Sequence, residues 1–178
     1  MRLDQVAGHE LEWRQPNAFR RIYELTCDGN EVATLRFEKG LGSLATAECG
    51  SGKWTFKRTG FLSPQVSVRE AGSETDLAIF TPSWTGCGWL AFGSGRRYRL
   101  RQTNFWATEW AFQGEQDGSP AVTLTGPHNV FKPGGHARVA PSAAESPETP
   151  VMLVLIWYLR ILMNEDAAAV TATIATFS

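Results

Sequence analysis

Sulfur and imidazole are scarce in this chain. Three cysteines (Cys27, Cys49, Cys87) and three histidines (His9, His128, His136) are all that 178 residues hold. Three cysteines cannot all pair within one chain, and they form no C-x-x-C, so no disulfide framework or zinc ribbon is expected. Reduced thiols in a cytoplasm fit better. No histidine has a partner four residues on or a cysteine at ligand spacing, so the spacing predicts no zinc site. His128 and His136 flank a Gly/Pro stretch and read as solvated loop residues. Cys87 reads as a small buried thiol rather than the partner of His128 in a catalytic pair.

Other absences narrow the function. There is no G-x-S-x-G elbow and no H-E-x-x-H helix. Gly50-Ser51-Gly52-Lys53 ends like a phosphate loop, but that pattern needs Gly where Ala47 stands and Ser or Thr where Trp54 stands. No catalytic residue, cofactor or metal is expected, and the chain reads as a non-enzyme. Charge excess is also missing. Seventeen Lys and Arg against eighteen Asp and Glu leave a formal net charge of −1. Nothing global draws the chain to nucleic acid, so no nucleic-acid partner is expected. The start, MRLDQVAGHELEW, has no apolar core of a signal peptide.

What the chain does have is aromatics and turns. Seven Trp, ten Phe, seventeen Gly and nine Pro suit a strand-rich core with many reversals. At this length a single domain over 1–178 is the economical reading. From 20 to 140 the dominant period is two. Tyr23–Cys27 and Glu31–Phe37 flank Asp28-Gly29-Asn30, the strongest hairpin signal present. Further strands are expected at 43–48, 53–58, 65–69, 77–80, 89–92, 96–102, 105–112 and 121–124, with short ones at 130–131 and 137–139. About ten to twelve short antiparallel strands with regular turns predict a mainly-β barrel or sandwich, not βαβ units. Trp106, Trp110 and Phe112 share one strand face, as core residues would. A loop follows at 141–150, rich in Pro, Ser and Ala.

Beyond that loop lies Val151–Met163, apolar or aromatic at every position except Arg160. As a helix it rises about 20 Å. A bilayer core is about 30 Å thick, so a transmembrane role is not expected. On a helical wheel Val151, Leu155 and Leu159 take one side, Met152 and Ile156 the next, and Leu153, Trp157 and Ile161 the remainder. A helix apolar all round must be enclosed on every side. Among strands, a closed barrel provides that enclosure. The expected helix spans 150–167, with Thr149 as N-cap and Pro150 in its first turn. Arg160 then needs a partner or a route to solvent. The alternation in Val170–Phe177 suggests a final strand over 170–177.

Short strands with Gly turns over 54–112, followed by VMLVLIWYLRILMNEDA at 151–167, resemble the tubby C-terminal-like superfamily. That superfamily includes the LURP-one-related proteins and the phospholipid scramblases. The resemblance implies a β-barrel wrapped around a central hydrophobic helix, but the family's function carries over poorly; a non-enzymatic binding or scaffold domain is the expected role. Tubby domains bind phosphoinositides through Lys and Arg. That motif does not align here residue by residue, and no calcium site is carried over from the scramblases.

The sharpest charge feature is Arg96-Arg97-Tyr98-Arg99-Leu100-Arg101, which puts Arg97, Arg99 and Arg101 on one strand face. Lys53, Lys57 and Arg58 lie on a strand of similar sequence, GSGKWTFKR echoing GSGRRYRLR. Were the two strands neighbours, the six cations would form a stripe able to hold anionic phospholipid or phosphoinositide headgroups. The expected protein is therefore cytoplasmic or peripheral at a membrane, with an anionic phospholipid surface as partner. An enzyme or small-molecule carrier with an aromatic pocket is one alternative. A protein–protein interaction module that dimerises through strand edges is another.

Overall fold

The computed structural model describes residues 6–38, 42–60, 62–83, 87–104, 108–126 and 134–176, with side chains to 172. Alternating apolar and polar residues build twelve strands: β1 Leu11–Arg14, β2 Ile22–Cys27, β3 Asn30–Phe37, β4 Ala45–Cys49, β5 Gly52–Thr59 and β6 Gln65–Glu70, then β7 Asp76–Pro82, β8 Gly88–Phe92, β9 Arg97–Gln102, β10 Glu109–Gly114, β11 Pro120–Thr125 and β12 Gly134–Val139. Each pairs antiparallel with its neighbour in sequence, and β1 pairs with β12 to close a barrel.

The closing strand β1 is an addition to the expected set. Leu11 and Trp13 are fully buried while Glu12 and Arg14 face out. Four alternating residues are too few to stand out in a sequence. Their partners sit far along the chain, Leu11 opposite Ala137 and Trp13 opposite Gly135. Its arrival also moves His136 from the expected loop onto β12, where Nδ1 lies 3.3 Å from Glu10. The expected residues 105, 106, 128, 130 and 131 lie outside the described ones.

The lumen is filled by helix α1, Thr149–Thr176. Every residue from Val151 to Leu159 is buried, on all sides of the helix. Burying one such aliphatic side chain contributes about 1.5–3 kcal/mol. The wall leaves room by facing inward with small residues in places, including Ala45, Ala47 and Ala137. At Gly135 a β-carbon would stand 3.0 Å from the Trp157 ring, so the indole lies against bare backbone. Trp157 stacks on Trp13 at 5.4 Å between ring centroids, with Tyr23 edge-on at 6.0 Å. Tyr158 sits between Phe37 at 5.5 Å and Phe56 at 5.3 Å. Trp110 and Phe112 face inward as expected.

Two expectations about this helix are corrected. The segment 170–176 continues the helix instead of forming a strand. Ala167–Ala169 favour helix, and a closed barrel offers no edge for another strand to join. Thr149 does not cap with its hydroxyl either. It is buried, and its Oγ1 donates to the Ala143 carbonyl at 2.6 Å, tying the helix start to the 3-10 turn Pro141–Ala143.

The helix is fastened at both ends. At its start Glu148, almost sealed from solvent, accepts hydrogen bonds from Ser146 Oγ at 2.6 Å, Arg96 Nη1 at 2.9 Å and Ser94 Oγ at 3.2 Å. Where the helix leaves the barrel, Arg21 meets Glu165 at 2.5 Å and Arg58 meets Asp166 at 2.6 Å. Tyr158 donates its hydroxyl to the Ser43 carbonyl at 2.6 Å. Arg160, half-buried between Leu159 and Ile161, has its guanidinium shifted below the ordinary value by burial.

Candidate anion-binding face

The expected stripe of six cations does not form. β6, β7 and β8 separate β5 from β9 around the barrel. Similar sequences occupy distant positions on the wall. The β5 cations also have other business. Lys53 lies 3.4 Å from Glu48 on the paired strand β4. Arg58 falls on the inward parity with Trp54 and Phe56 and holds Asp166 at the helix exit. The hydrogen bond to the Asp166 carboxylate raises the Arg58 pKa further, so it stays a fixed cation of the rim. Lys57 points outward on that strand, as Lys53 does.

The β9 half does form. Tyr98 and Leu100 turn toward the core, and Arg97, Arg99 and Arg101 are exposed on the outer face. Trp89 on β8 stands opposite Arg99. Its ring carries the Arg97 guanidinium at 4.8 Å and that of Arg99 at 5.5 Å, close enough for cation–π attraction. Arg97 is engaged besides by Glu115, at 2.9 Å.

Register across the next strands adds a residue that sequence reasoning missed. Arg101 pairs with Ala111 on β10, Ala111 with Thr123 on β11, and Thr123 with Arg138 on β12. All four lie in one row on the outer wall. Strands are spaced about 4.8 Å apart, so Arg101 and Arg138 flank a floor about 14 Å wide. That floor is a methyl group and a hydroxyl. Ala111 is only 1% exposed, although its register places it on the outer face. Among the described residues, the ion pairs formed elsewhere on the wall leave out Arg99, Arg101 and Arg138. Arg138 carries a weak signal in the sequence, the alternation His136-Ala137-Arg138-Val139. Its place beside β9 follows only from strand order.

Beside the helix exit runs a groove of about 460 Å³, lined by Leu62, Val66, Phe80, Leu159, Leu162 and Met163 among others. Its charged lining residues, Arg58 and Asp166, are spent on each other. No tryptophan lines it among the described residues, and its aromatic lining residue is Phe80. No helix among the described residues is long and apolar enough to cross a membrane.

No protein-family model and no curated protein matches the chain. Among solved structures, a protein from Arabidopsis thaliana determined by X-ray crystallography is similar, with a TM-score of 0.56 and 13% sequence identity. The match covers 84% of this chain and 91% of the other. At that identity the likeness is one of fold: a mainly-β closed barrel with one C-terminal helix.

Proposed function

We propose that this chain is a non-enzymatic binding domain of the tubby C-terminal-like kind, related in plan to the LURP-one-related and scramblase proteins. Its ligand is the phosphate headgroup of an anionic phospholipid or phosphoinositide, held on the outer wall from β9 to β12. The observation that carries this reading is the row Arg101–Ala111–Thr123–Arg138, with Arg99 one pleat away. Guanidinium groups present planar donor pairs that match phosphate oxygens, and they are never neutral at physiological pH. The helix that fills the lumen argues against an interior ligand cavity, and a barrel closed by β1 and β12 lacks the strand edges an edge-paired dimer would use.

The test is co-sedimentation with vesicles of phosphatidylcholine alone, with added phosphatidylserine, and with added phosphoinositide. The wild-type chain should pellet with the anionic vesicles, less so as salt rises. Arg99→Ala/Arg101→Ala/Arg138→Ala should abolish most of that binding, and Lys53→Ala/Lys57→Ala should leave it intact. Equal binding by the triple variant would overturn the proposal.

A further inference from the structure

We propose a second, independent site: His9, Cys27 and Asp28 together bind a borderline-soft transition-metal ion of the Zn2+ class. Spacing along the chain gave no hint of this, because His9 precedes β1 and the other two lie at the β2–β3 turn. Antiparallel pairing of β1 with β2 brings them together. The ligand atoms of all three side chains lie within 4.8 Å of one another. Asp28 Oδ2 is 3.9 Å from both His9 Nδ1 and Cys27 Sγ.

The local backbone holds this arrangement. Asp28 and Gly29 form a two-residue hairpin turn with φ of 49° and 79°, and Cys27 pairs with Asn30 across it. Asp-Gly suits such a turn. The segment carrying His9 is tied down as well. Gly8 N donates to the Val139 carbonyl and His9 N to that of Val6, which is itself buried. Cys27 is the last inward-facing residue of β2 and is buried, whereas the His9 and Asp28 side chains are 58% and 80% exposed.

In a tetrahedral site the metal lies about 2.0–2.3 Å from N, O and S ligands, so ligand atoms stand about 3.3–3.8 Å apart. The observed spacings, within 4.8 Å, need to close by about 1.5 Å at most, which rotation of the two exposed side chains supplies. As they stand, the three groups are gathered yet bonded only at long range, beyond the ordinary hydrogen-bond lengths of N and O groups. One thiolate, one imidazole and one carboxylate favour Zn2+, Co2+ or similar ions over Mg2+ and Ca2+, which take oxygen ligands. Binding replaces the Cys27 S–H bond with a metal–sulfur bond and releases that proton to solvent. The fourth position faces water. Such an ion would staple the segment before β1 to the β2–β3 turn, beside the β1–β2 pairing.

Co2+ titration of the full chain tests this. The wild type should develop the near-ultraviolet thiolate-to-cobalt charge-transfer band, saturating at one ion per chain and reversed by Zn2+. The band should persist in Cys49→Ser/Cys87→Ser and vanish in Cys27→Ser. His9→Ala and Asp28→Asn should each weaken binding by at least about tenfold, since even outer-shell losses cost that much. Zn2+ should raise the melting temperature of the wild type but not of His9→Ala, a variant at an exposed position that keeps the fold. No band in the wild type, or an unchanged band in Cys27→Ser, would sink the proposal. Both results are independent of vesicle binding.

Discussion

Glu148 and Tyr158 each tie the helix to the wall through one polar group. Burial alone would raise the Glu148 carboxyl pKa. The Ser146 hydroxyl, its own backbone amide, Arg96 and Ser94 outweigh that and hold it below the ordinary 4.5. A carboxyl with a depressed folded pKa stabilises the fold above its unfolded value, and this contribution is lost as pH falls through the folded value. Glu148→Gln should therefore be less stable at neutral pH, with a shallower loss of stability below about pH 5 in urea melts. Tyr158 works at the other limb. Burial pushes its hydroxyl from 10.0 up to about 12. An acid with a raised folded pKa stabilises below its unfolded value, so this contribution fades as pH rises from 10 toward 12. Tyr158→Phe keeps the stack between Phe37 and Phe56 and removes only the bond to Ser43. It should cost about 0.5–1.5 kcal/mol by denaturant unfolding, and the alkaline fall should flatten.

At the scale of the element, α1 is two helices in one. From Val151 to Leu159 it is core, and from Glu165 to Ala172 it is exposed. Leu155→Asp puts an unpaired carboxylate at a fully buried position. A buried charge without a partner is among the costliest of changes, so this variant should yield no folded protein by circular dichroism. Stopping the chain after Ala167 removes none of the buried turns or rim ion pairs found among the described residues, and the melting temperature should hold within a few degrees. Arg21→Ala/Arg58→Ala should cost little, because exposed ion pairs are typically worth about 0–1 kcal/mol, and raised salt should mask most of it. The core of this helix was legible in the sequence because a long apolar run broken only by Arg160 leaves no polar face. Its tail was not. Val170-Thr-Ala-Thr-Ile alternates like a strand, and the preceding alanines together with the closure of the barrel exclude that reading. The β2–β3 hairpin was legible through its Asp-Gly turn, and the arginine face of β9 through simple alternation. Arg138, His9 and the placement of β5 were not, because each depends on which strands are neighbours.

The whole molecule is a meander closed by its first and last strands, with charge handled differently at each part of the wall. Lys53 and Arg58 of β5 are drawn into a local pair and the helix clasp, and the arginines of β9 and β12 are left outward. Freeing a β5 cation tests this arrangement. Glu48→Ala releases Lys53 without adding a phosphate-binding row, so vesicle binding should not rise appreciably in co-sedimentation. The order of elements also carries a consequence for how the chain is made. All twelve strands precede the segment they enclose. During synthesis the wall therefore exists for a time with nothing to wrap, its inward aromatics exposed and β1 waiting for β12. Most pairings here join neighbours in sequence, but the β1–β12 closure and the helix packing both wait for late segments, and half-made barrels aggregate. Completion is set by arrival of the axle: until residues 151–163 clear the ribosome, the protein is a sheet in search of a core.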